Sequence, residues 1–106
     1  MEDIEIQLKE KLGEKNFKRA QLISHNKFGY KTNLIEKYYK SLLNGYLDIN
    51  EEWSNDFVIE MLANRFNKVE NKMEFIQEIL DTYDTRDDRT RNILEKYMRA
   101  IRNNKI

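Results

Sequence analysis

Apolar side chains recur three and four residues apart along most of the chain, the spacing that keeps them on one side of a helix. Ile4, Leu8 and Leu12 are spaced by four, and Gly13 follows where a helix cap belongs. Asn16 can start a second, short helix carrying Phe17, Ala20 and Ile23 inward. The run His25-Asn26-Lys27-Phe28-Gly29-Tyr30 has no such period and contains a glycine, so it is expected to be the connection to the next helix.

The third helix is expected from Asn33, spaced from Glu36 as in a capping box, to Asn44-Gly45, with Leu34, Ile35, Tyr38, Leu42 and Leu43 on its apolar side. Tyr38 and Tyr39 point about 100° apart, so one of them is expected to be partly exposed. A fourth helix, Glu51 to Phe66, carries Trp53, Phe57, Val58, Ile59, Met61, Leu62 and Phe66. They cover about two-thirds of its circumference, which marks it as the most buried element. Asn71 and Glu74 have capping-box spacing at the start of a fifth helix, with Met73, Ile76, Leu80 and Tyr83 inward. A sixth runs from Asp88 to Asn103 with Ile93, Leu94, Tyr97 and Ile101 inward. The pattern predicts an all-α fold, a compact bundle of about six helices forming a single domain over residues 1–106.

Composition narrows the chemistry. The 106 residues include no proline, three glycines and no cysteine, with 40% hydrophobic and 11% aromatic residues. Few breakers favour helices throughout, and the apolar content is far above that of chains too polar to fold. Without cysteine there is no disulfide, thiolate chemistry or cysteine-based zinc site. Met1 to Glu10 is acidic, and no stretch approaches the ~20 apolar residues of a membrane span, so a cytoplasmic protein is expected.

Charge changes the picture more than its total suggests. Nineteen basic and nineteen acidic side chains give net zero, yet they are sorted in blocks. From Lys15 to Tyr46 there are seven lysines or arginines against one acid, Glu36. From Leu47 to Asp88 twelve acids face four bases, and from Arg89 onward six bases face Glu95 alone. Neighbouring helices of opposite charge explain part of this through weak ion pairs. The first block also has the makings of a phosphate-facing surface, because DNA binding needs several cations on one face.

Within that block, Arg19-Ala20-Gln21-Leu22-Ile23, then Leu34, Ile35, Tyr38 and Leu42, then Leu43-Asn44-Gly45, resemble the helix-turn-helix of phage-repressor-type DNA-binding domains. Ala20 stands where two helices must approach closely. The resemblance implies a small DNA-binding regulator of phage or mobile-element origin, with the helix from Asn33 to Leu43 entering the major groove by its N-terminal residues. The connection here is expected to need about eight residues, where that family uses three or four. The implied nucleic-acid-binding residues are Lys18, Arg19, Lys27, Lys31, Thr32, Asn33, Lys37 and Lys40. Asn33 could pair with adenine or cap its helix, and capping is its expected work. Lys27-Phe28-Gly29-Tyr30-Lys31 interleaves aromatics with cations, as stacking loops do, but both rings are expected to anchor the loop to the core.

Catalytic constellations are set aside. His25 has no carboxylate beside it in sequence and no cysteine to share a metal, and no glycine-rich phosphate loop is present. Asp81, Asp84, Asp87 and Asp88 lack the alternating oxygens and glycine of a calcium loop; Asp87 or Asp88 is expected to cap the last helix. No enzyme activity, cofactor or metal is therefore expected. The alternative to DNA is a protein-interaction module, an inhibitor or adaptor presenting the acidic fourth and fifth helices to a basic protein partner. Tyr97, Met98 and Ile101 offer a surface for a homodimer.

Overall fold

The structure, a computed structural model, describes residues 2–82 and 88–103. It is all-α, and the helices are α1 (Glu2–Leu12), α2 (Glu14–Phe28), α3 (Thr32–Leu43), α4 (Ile49–Glu52), α5 (Asn55–Arg65), α6 (Lys72–Thr82) and α7 (Asp88–Arg102). They divide into two compact units, Met1–Ser54 and Asn55–Ile106. Tyr83, Asp87 and the side chain of Asp88, assigned above to an inward face or a cap, lie outside the described residues, as does Asp84.

In the first unit α1 packs on both α2 and α3, and α2 also contacts α3 and α4. Its core is Leu8 from α1; Phe17, Ala20, Leu22 and Ile23 from α2; Ile35, Tyr38, Tyr39 and Leu42 from α3; and Ile49 from α4. Both tyrosines are inside, Tyr38 at 6% exposure and Tyr39 at 1%. A helix covered on one face exposes one of two adjacent residues, whereas α3 has neighbours on two sides. Tyr39 meets Phe17, ring centroids 6.2 Å apart, while Tyr38 meets Phe28 at 6.0 Å. Burying a large side chain contributes about 1.5–3 kcal/mol, so the pair is a large share of what holds α3.

The second unit is built on α7, which contacts α5 and α6. Val58, Met61 and Leu62 on α5, Phe66 just beyond it, Phe75, Ile76 and Ile79 on α6, and Leu94 on α7 are buried. Phe66 and Tyr97 rings stand 4.4 Å apart, and the Arg65 guanidinium lies over the Phe75 ring at 5.3 Å. Asn71 caps α6 as its spacing predicts, its Oδ1 accepting from the Glu74 N–H at 3.0 Å.

Four boundaries differ from the sequence expectation, the first being that α2 begins at Glu14, with Gly13 and not Asn16 at its cap position. The expected fourth helix is two helices, α4 and α5, separated at Trp53-Ser54, and its apolar residues fall in different units. Asp48 caps α4 by accepting from the Asn50 N–H at 2.9 Å. Ser54-Asn55-Asp56 then supplies three consecutive side chains of the kind that compete with helical backbone bonds. Asn33 does not cap α3: the helix starts one residue earlier, Lys31 occupies the cap position, and no side chain bonds there. The connection between α2 and α3 is three residues, Gly29 to Lys31, because α2 continues through the run assigned to the loop.

Gly29 makes so short a connection feasible. Its backbone lies at φ 61° and ψ −120°, a region essentially reserved for glycine, and its N–H donates to His25 O at 3.0 Å. A Cβ added there would meet nothing within 4 Å. Gly29→Ala is therefore expected to cost about 1–3 kcal/mol through backbone conformation alone, read as a lower urea midpoint; unchanged stability would contradict this account of the turn.

Candidate nucleic-acid interface

The eight residues expected to bind nucleic acid all lie in the first unit, and its packing sorts them into two groups. Arg19 is only 8% exposed. Its guanidinium donates to Asn16 Oδ1 at 3.0 Å and lies over the Trp53 ring at 5.7 Å, so its charge is used inside the fold. Lys27 lies over the Tyr38 ring at 5.7 Å and pairs with Glu52 at 3.5 Å. Lys18 is exposed, but it follows Phe17 by one residue and so points about 100° round α2 from that ring.

The other five gather at α3. Lys31 and Thr32 are exposed where the helix begins, and Asn33, Lys37 and Lys40 follow at spacings of four and three. Those spacings place the last three on one stripe, roughly opposite Ile35, Tyr38, Tyr39 and Leu42. Lys40 shares its charge with Glu36 at 3.4 Å, the only acid on the helix. The side chains of Lys31, Asn33 and Lys37 have no hydrogen-bond or charge partner among the described residues. Relieved of capping, the Asn33 amide keeps both its donor and acceptor sides toward water, the pair needed to read an adenine edge.

The turn adds an aromatic. Phe28 is half-buried against Tyr38, whereas Tyr30 is 93% exposed, its ring meeting that of His25 edge-on at 6.4 Å. Both rings were expected to anchor the loop; one does. The signal separating them is register: Phe17, Ala20, Ser24 and Phe28 follow one another at three, four and four residues, and Tyr30 falls outside that series.

Glu52 escaped sequence reasoning. It accepts a hydrogen bond from Tyr38 Oη at 2.9 Å while pairing with Lys27, so one carboxylate ties α2, α3 and α4 together. Burial, then the hydrogen bond to Glu52 and its charge, pushes the Tyr38 phenol well above its ordinary value near 10. Tyr39 is also raised, by burial first and by the charge of Glu5, against the opposing hydrogen bond from Ser24. Among the described residues no group of three or more His, Cys, Asp or Glu side chains could hold a metal ion, and no helix is long and apolar enough to cross a membrane. Comparison with protein-family models, with curated proteins and with solved structures found no match.

The tyrosine anchor predicts a pH signature. Because the folded phenol ionises later than the unfolded one, its contribution is complete below about pH 10 and declines above it, as the unfolded chain releases its proton first. Tyr38→Phe is expected to lose about 1 kcal/mol at neutral pH, with its deficit shrinking above pH ~10, in urea unfolding at both pH values. Parallel pH curves for the two proteins would contradict it.

Proposed function

We infer that the protein is a small DNA-binding regulator whose contact surface is the outward side of α3 together with the turn before it. The single observation that carries this reading is the contrast within α3. One side is locked into the core by Ile35, Tyr38, Tyr39 and Leu42, while the other carries Lys37, Lys40 and Asn33 in water with Lys31 at its head. A rigid helix with a cationic outer stripe and a free amide near its N-terminus is the arrangement by which helices enter a major groove. The three-residue connection also supports the resemblance to phage-repressor-type domains, whose turns have this length. A phage or mobile-element origin goes with that resemblance. Arg19 and Lys27 stand outside this reading: Arg19 is buried, and Lys27 is held by both the Tyr38 ring and Glu52, where Lys40 has a carboxylate alone.

Three phosphate-reaching cations set the strength. At a slope near −0.9 per contact, Lys31, Lys37 and Lys40 give a log–log salt slope of about −2.7, or roughly forty-fold weaker binding between 50 and 200 mM salt. A homodimer would double it. Fluorescence anisotropy with a labelled duplex is expected to show that slope, and Lys31→Ala with Lys37→Ala should bring it to about −0.9. No binding to any DNA, duplex or single-stranded, at about 50 mM salt, where phosphate contacts are strongest, would overturn the reading.

A second reading has its own support in the other unit. Glu74, Gln77, Glu78 and Asp81 are exposed along one side of α6, around a shallow depression that also includes Asn71 and Met73. Gln77 Nε2 donates to Asp81 Oδ1 at 3.0 Å, and none of the three carboxylates pairs with a cation among the described residues. Such a face fits an inhibitor or adaptor docking on a basic protein. Reversing Glu74, Glu78 and Asp81 to lysine should abolish binding of a polylysine probe if this face acts, and leave it unchanged if it does not.

A further inference from the structure

The large apolar or aromatic side chains left exposed among the described residues are few: Ile6, Tyr30, Tyr46 and Met73. The two most exposed, Tyr30 at 93% and Tyr46 at 82%, stand just before and just after α3. Neither is on slack chain. Around Tyr30, Gly29 N–H bonds to His25 O, and Lys31 N–H donates to Phe28 O at 3.2 Å while Lys31 O accepts from Leu34 and Ile35. Tyr46 N–H donates to Ser41 O at 2.9 Å, and Gly45 before it takes φ 80°. Two rings held in water on pinned backbone lose little freedom when a flat partner covers them.

Between them lies the cationic stripe. The twelve residues of α3 span about 18 Å. Flat apolar faces alternating with negative charge along a flexible chain describe a nucleic acid whose bases are accessible. In a continuous duplex each base face is already covered by its neighbours, so an exposed tyrosine gains stacking only from an unpaired base. We propose that this surface takes DNA with unpaired bases, which stack on Tyr30 at one end of α3 and on Tyr46 at the other, while Lys37 and Lys40 hold the phosphates between. The proposal rests on α3 being the DNA-binding surface, and it adds which form of DNA that surface prefers.

The test is anisotropy at about 50 mM salt with two probes, a labelled oligothymidylate about ten nucleotides long and a fully paired hairpin duplex. The wild-type protein is expected to bind the single strand more tightly. Tyr30→Ala and Tyr46→Ala should each weaken single-strand binding about 5- to 100-fold, with Tyr30→Phe retaining it and the duplex little affected. Both rings are exposed, so far-ultraviolet circular dichroism should show unchanged helix in every variant. If Lys37→Ala weakens both probes while the tyrosine variants weaken neither, stacking is overturned and the phosphate contact stands. Equal binding of the two probes by the wild type also overturns the preference for unpaired bases, and failure of both probes to bind removes the DNA reading itself.

Discussion

Two adjacent tyrosines on α3 are both withdrawn from water, and the arrangement of the first unit follows from that burial. Neighbouring positions on a helix diverge by about 100°, so hiding both rings requires partners on two sides. Phe17 and Ser24 of α2 meet Tyr39, and Phe28 of α2 with Glu52 of α4 meets Tyr38. Lys11 of α1 donates from its ammonium group to Leu43 O at the far end of the same helix. Held by three helices, α3 turns outward the side away from Tyr38 and Tyr39, and that side is where its lysines are.

The same packing decides which cations remain available. A charge near a carboxylate or an aromatic face is partly satisfied before any partner arrives, and the first unit treats its cations unequally in this respect. Lys9 lies over the Phe17 ring at 5.1 Å, Arg19 lies over Trp53, and Lys27 is shared between Tyr38 and Glu52. Lys31 and Lys37 have no such neighbour among the described residues. Sequence blocks of charge therefore overstate the cationic surface: packing withdraws Arg19 and engages Lys27, while Lys15 and Lys18 stay exposed on α2 and Lys31, Lys37 and Lys40 on the turn and α3.

Much of the fold was legible because helical periodicity and cap chemistry are local. Leu8, Ile23, Ile35, Leu42, Ile76 and Leu94 are inside as their spacing predicts, and Asn71 caps α6. What was misread depends on distant neighbours or on competing local signals. The extension of α2 through Phe28 was hidden by the polar run His25-Asn26-Lys27, whose contacts with Tyr30, Glu52 and Tyr38 come from elsewhere in the chain. The break at Trp53-Ser54 was hidden by apolar residues on both sides that resemble one wide helical face. Of the expected site, the α3 members share a side because spacing along one helix fixes it; Lys18, Arg19 and Lys27 depended on the packing of α2, which spacing does not reveal.

The DNA-binding surface proposed for this protein is the outward side of α3 and the turn before it. Amide chemical-shift mapping of the nitrogen-15-labelled protein during titration with a short DNA oligomer tests it residue by residue. The account predicts that the displaced resonances cluster from Gly29 to Lys40 and at Tyr46, leaving α6 in place. Displacements centred on Glu74 to Asp81, or spread evenly over both units, would contradict it.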